Sequence, residues 1–190
     1  MNTNMFRRLK AKAKSRRGVS LAEMLIATLL LVLVSGAMVT GVLFASTSFS
    51  KSMMRSESKV LYSTLQNVIK NELANTKTVV LGEAKTDGSR RVDKFFSQNY
   101  ASTLDLSSFR VIPSGREYGE LALGSETEVN RLLSSSAYTY GLGAKVEVSY
   151  FESAPERFRV VLTICSTDGT ELISEPFDVV PLNAVTKQYS

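Results

Sequence analysis

Few side chains in this chain can do chemistry. The 190 residues include no histidine and a single cysteine, Cys165. Without histidine there is no histidine-based nucleophilic triad and no common cysteine–histidine zinc cluster. Cys165 follows an alternating apolar segment, where a thiol is a structural group rather than a nucleophile. Ser134, Ser135 and Ser136 have no partnered base and read as a loop. Gly141-Leu142-Gly143 lacks the lysine and the helix of a phosphate-cradling loop. The residue that stands out is Glu23. It lies beside 27 consecutive uncharged residues, Met24 to Ser50. A carboxylate inside an apolar span is costly, so it calls for a cationic partner.

The element that must position Glu23 is the segment it begins. The uncharged run exceeds the ~20 residues needed to cross the apolar thickness of a bilayer. Seven basic residues and no acidic one precede Gly18: Arg7, Arg8, Lys10, Lys12, Lys14, Arg16 and Arg17. A basic flank of this kind holds the N-terminal side of a span in the cytoplasm. The same flank accounts for the high pI. Without residues 1–18 the chain loses seven of its 23 basic residues and none of its 18 acidic ones, leaving 16 against 18. The charge balance therefore gives no independent support for nucleic-acid binding.

The stretch Arg16-Arg17-Gly18-Val19-Ser20-Leu21-Ala22-Glu23 resembles the processing signal of the type IV pilin and type II secretion pseudopilin family. The resemblance covers residues 16–45. It implies that a membrane prepilin peptidase cuts between Gly18 and Val19 and methylates the new N-terminus. Ser20 and Leu21 follow the family pattern, and Val19 takes the place of the phenylalanine or methionine commonly found first. Glu23 matches the glutamate at the fifth mature position. Processing frees the α-amine of Val19, which is mostly protonated near neutral pH. The resemblance implies that Glu23 pairs with such an amine on a neighbouring subunit and so sets axial register in a filament. Glu23 at the lipid headgroup level, with no assembly role, is the plainer alternative.

An ordinary secretory signal also has a basic start, an apolar middle and a cut after small residues. Ser35-Gly36-Ala37 supplies such a site, with Met38 first in the mature chain. Glu23 argues against it, since a charge between basic region and apolar core is unusual in those signals. An uncut anchor beginning at Met1 is the third possibility.

The apolar pattern continues past Ser50. Met53/Met54, Val60/Leu61, Leu65, Val68/Ile69 and Leu73 recur at steps of three, four and seven, giving one stripe. No proline occurs before Pro113. The spacing predicts one helix from Ser20 to about Asn75, 56 residues or roughly 84 Å at ~1.5 Å each, loosened near Gly36–Gly41. Its first half is apolar all round and its second half has one face to bury. The domain plan is thus a basic leader (1–18), a hydrophobic-to-amphipathic helix (19–76) and an extracytoplasmic head (77–190).

In the head, Arg91–Phe96, Phe109–Ile112 and Glu120–Leu123 read as short strands. Asp87-Gly88 and Pro113-Ser114-Gly115 read as turns, and Leu104 and Leu106 as residues packing back on the helix. Lys145–Tyr150 and Phe158–Ile164 alternate with period two. Thr167-Asp168-Gly169-Thr170 is a tight hairpin turn. A third strand covers Glu171–Val180, interrupted or ended by Pro176. These three form an antiparallel meander over the helix stripe, and Pro181–Ser190 is a short tail. The fold class is α+β and resembles the pilin fold.

Some members of the resembled family bind calcium in a C-terminal loop. Asp168, Glu171 and Glu175 come nearest here, but their spacing equally fits a hairpin turn and strand. No cofactor and no metal is expected. A single cysteine allows no intrachain disulfide, so packing must stabilise the exported part.

The resemblance implies a structural subunit, not an enzyme, of a type IV pilus-like or type II secretion filament. A turn-rich middle region leans toward a minor subunit. Implied partners are copies of itself, sibling pilins or pseudopilins, the prepilin peptidase, an assembly platform protein with its ATPase, and the lipid bilayer. The implied location is the bacterial cytoplasmic membrane, single-pass, with the head outside, and then a pilus or pseudopilus at the cell surface. A competence pseudopilin for DNA uptake belongs to the same class. A single-pass anchored binding protein is the alternative from another class.

Overall fold

A computed structural model describes residues 20–97, 106–124, 129–153 and 155–190. It is an α+β chain in which one long N-terminal helix leads into, and packs on, a mixed, largely antiparallel β domain. Two compact units meet between Ser50 and Lys51. The division falls inside helix α1, Leu21–Ala74, rather than at its end. The second half of the helix is therefore part of the head, while the first half is not.

Helix α1 is unbroken through Gly36 and Gly41, so the loosening expected there is absent. Its start is built by Ser20, whose carbonyl accepts from the Met24 N–H at 3.1 Å. Its end has no glycine cap. Instead Asn75 Nδ2 donates to the Asn71 carbonyl at 2.8 Å, and the Leu182 N–H donates to the Ala74 carbonyl at 2.8 Å. Those bonds satisfy carbonyls that a helix terminus otherwise leaves unpaired.

Among the described residues nine strands follow: β1 Thr76–Ala84, β2 Arg90–Ser97, β3 Ser108–Ile112, β4 Glu120–Gly124, β5 Val129–Arg131, β6 Gly143–Phe151, β7 Arg157–Cys165, β8 Glu171–Val179 and β9 Thr186–Tyr189. The main sheet has the order β8-β7-β6-β2-β1-β9, and the smaller one β3-β4-β5. The predicted meander is present as β6-β7-β8, with Val148 opposite Val160 and Val160 opposite Phe177. It forms half of a larger sheet, because β2 pairs with β6 and β1 with β2.

Two expectations need correction. Residues 181–190 are more than a tail: Thr186–Tyr189 pairs parallel with Thr78–Leu81, so the sheet is mixed rather than purely antiparallel. Pro176 does not end the third strand, which runs through it opposite Val161. Strand β8 lies at the sheet edge, where a missing N–H costs no ladder bond.

Leu61, Tyr62, Leu65, Ile69 and Leu73 from α1 enter one core with Val79, Leu81, Phe95, Tyr150, Phe158, Val160, Leu162 and Ile164. Burying five large side chains at ~1.5–3 kcal/mol each gives at most roughly 15 kcal/mol for this face. A short helix alone would be marginal in water. Val60, predicted in the stripe, is 57% exposed; Tyr62 takes the inward position and its hydroxyl donates to the Glu175 carbonyl at 3.3 Å. Leu106 is half-buried, and Leu104 lies outside the described residues. The smaller sheet joins the core through buried Leu121 and Leu123, and Phe109 stacks on Phe95 with centroids 5.1 Å apart.

Candidate functional site: the N-terminal half of the helix

Every residue from Ser20 to Ser52 is exposed. For a segment this apolar that is the defining observation. Leu21, Met24, Leu25, Ile26, Leu29 to Val34, Val39, Leu43, Phe44 and Phe49 have no partner face among the described residues. Among the described residues, α1 is the helix long and apolar enough to cross a membrane. Four of its hydroxyls are bonded back to the helix: Thr28 Oγ1 to the Leu25 carbonyl at 2.9 Å, Ser35 Oγ to Leu31 at 2.7 Å, Thr40 Oγ1 to Ala37 at 2.9 Å and Thr47 Oγ1 to Phe44 at 3.0 Å. Internal satisfaction of polar groups is what a hydrocarbon environment requires.

Glu23 sits in the first turn. Its Oε2 accepts from the Ser20 N–H at 2.9 Å and from Ser20 Oγ at 3.2 Å, while the Glu23 N–H donates to Ser20 Oγ at 3.2 Å. This reciprocal pair is a capping box, the S-x-x-E signature before an apolar run. The S-x-x-E spacing is legible in the sequence beside the processing motif. Glu23 therefore has a local task as well: it terminates the helix and places a negative charge where the helix dipole favours one. Ser20 and Leu21 of the recognition signal are placed at this helix start, with Leu21 83% exposed. Arg16, Arg17, Gly18 and Val19, and with them the cleavage site, lie outside the described residues.

The remaining candidates resolve into structural contacts. Cys165 is buried at the end of β7, and burial raises its thiol pKa. Ser135 Oγ donates to Glu120 Oε2 at 3.0 Å, and Ser134 and Ser136 bond each other at 2.7 Å. Gly141 has φ +69° in a short 3-10 turn, and Gly143 opens a strand rather than a helix. Asp168 Oδ1 accepts from Ser166 Oγ and from the Thr170 N–H, which drops its pKa to about 2. Gly169, at φ +85°, completes that β7–β8 turn. Glu171 pairs with Lys145 at 3.5 Å. Among the described residues no three His, Cys, Asp or Glu side chains are grouped to hold a metal.

Among the hollows lined by described residues of the head, the larger pair joins elements far apart in the chain, which periodicity does not record. One, of about 440 Å³, lies beside Arg116, Tyr118, Glu120 and Tyr138. Burial raises the Tyr138 phenol to about 12. The other, of about 460 Å³, lies between the helix residues Lys51, Met54 and Arg55 and the β7–β8 turn. No protein-family model matches this sequence, and no curated protein or solved structure matches it.

Proposed function

We propose that the chain is a prepilin-type structural subunit of a type IV pilus-like or type II secretion filament. The observation that carries this reading is the pairing of a wholly exposed, uncharged helical half with one carboxylate at its start, directly after a basic Gly18-Val19 junction. Such a helix needs an apolar surrounding on all sides. A bilayer supplies it before assembly and a bundle of like helices supplies it afterwards. The exchange brings little hydrophobic gain, because lipid is as apolar as leucine. Direction and register must then come from packing, from Glu23 and from an external motor. In this reading the leader ends at Gly18, Val19 is the mature N-terminus, and the head stands outside the cytoplasmic membrane.

Mass spectrometry of the N-terminus in membrane and sheared-filament fractions tests the proposal. A mature chain beginning at Val19 supports it; Met38 or Met1 overturns it. An anchored binding protein is the second reading, favoured by the hollow beside Arg116, Tyr118 and Tyr138. It requires an intact leader and indifference to Glu23.

A further inference from the structure

The hollow of about 460 Å³ between the helix and the β7–β8 turn has the size of a small-molecule site, typically ~300–1,000 Å³. Lys51 and Arg55 form one wall. They are four residues apart, so they project from one helix face. Both are exposed, and neither side chain has an ion-pair partner among the described residues. The facing turn brings Ser166, Thr167, Thr170 and the carboxylate of Asp168, while Met54 and Leu172 make an apolar floor. Lys51 is the first charged residue after the uncharged run ending at Ser50. In a chain whose run spans a bilayer, this residue emerges at the headgroup layer.

We propose that this hollow binds the headgroup of an aminophospholipid, with the phosphate between Lys51 and Arg55 and the ammonium on Asp168. A guanidinium matches phosphate geometry, and a lysine adds a second point charge. Asp168 gives the hollow one anion facing its two cations, a pattern that a headgroup carrying both a phosphate and an ammonium complements. Its carboxylate stays ionised at any physiological pH, held so by Ser166 and Thr170. The proposal rests on the reading that Met24–Ser50 spans the membrane.

The full-length chain is reconstituted into vesicles containing equal phosphatidylethanolamine, phosphatidylglycerol and phosphatidylcholine. Resistance to carbonate extraction reports the span. The lipids retained after mild detergent extraction are then counted by native mass spectrometry. Phosphatidylethanolamine is expected to be enriched. Lys51→Ala with Arg55→Ala should lower its retention about tenfold or more, two basic contacts being lost. Asp168→Asn keeps the turn acceptor and should abolish only the preference over phosphatidylglycerol. Lys59→Ala, outside the hollow, should change nothing. Equal retention of the three lipids overturns the proposal, as does a double variant that behaves like wild type or displacement of the lipid by inorganic phosphate. Loss of carbonate resistance in the wild type overturns the membrane reading itself, and this site with it.

Discussion

Ser20 and Glu23 cap the same helix reciprocally, N–H to carboxylate at 2.9 Å and N–H to hydroxyl at 3.2 Å. Two roles of Glu23, hydrogen-bond acceptor and charge, can therefore be separated. Glu23→Gln keeps an acceptor oxygen for the Ser20 N–H and removes the charge. Glu23→Ala removes both and adds the loss of a cap, ~1 kcal/mol. If charge drives assembly, both variants enter sheared filaments poorly while the mature N-terminus remains Val19. Normal incorporation of the glutamine variant would reduce Glu23 to a helix cap. Immunoblotting of sheared and cell-bound fractions measures this.

Gly18→Ala is expected to slow or block removal of residues 1–18. The retained leader carries seven basic residues, so the uncleaved species is readily distinguished by mass. Normal processing of this variant would place the cleavage site elsewhere.

Leu65 is fully buried between α1 and the sheet. Leu65→Ala should lower the unfolding free energy of the head by ~2–5 kcal/mol, through lost burial and a cavity. Val60→Ala, at an exposed position of the same helix, should cost under ~0.5 kcal/mol. Denaturant unfolding of the full chain in detergent compares the two.

Among the carboxylates that hold the C-terminal strand β9, Glu156 makes the closest contacts. Glu156 receives Lys187 Nζ and, at 2.7 Å, the Tyr150 hydroxyl. Those bonds, Lys187 first, hold its pKa below the ordinary 4.5. The folded value is depressed, so the stabilisation is present above pH 4.5 and is lost as pH falls through the lower folded value. Glu156→Gln should speed amide exchange at Thr186–Tyr189 and Thr78–Leu81 at neutral pH. Acidification of the wild type should lower the protection factors of the same amides, exchange itself slowing in acid, and acidification of the variant should lower them little further. Unchanged exchange in the variant would show that Glu156 does not hold β9.

Local rules determined a good deal about this protein. The uncharged run and the S-x-x-E start need only composition and spacing to define the apolar helix. Strict alternation was enough for β6 and β7, since one face of each is buried. Asp168-Gly169 marked its hairpin because the turn demands a positive φ that glycine supplies freely. Tertiary structure alone decided the rest. Thr186–Tyr189 is too short and polar to announce a strand, and it becomes one because β1 leaves an open edge. Pro176 survives within β8 because that strand is outermost. Tyr62 lies on the buried face and its hydroxyl bonds the Glu175 carbonyl, while Val60 falls off that face and is exposed. The hollow at Lys51 and Arg55 exists because a turn more than a hundred residues later folds back against them. Periodicity records which face a segment buries; it carries no record of the distant segment that covers that face.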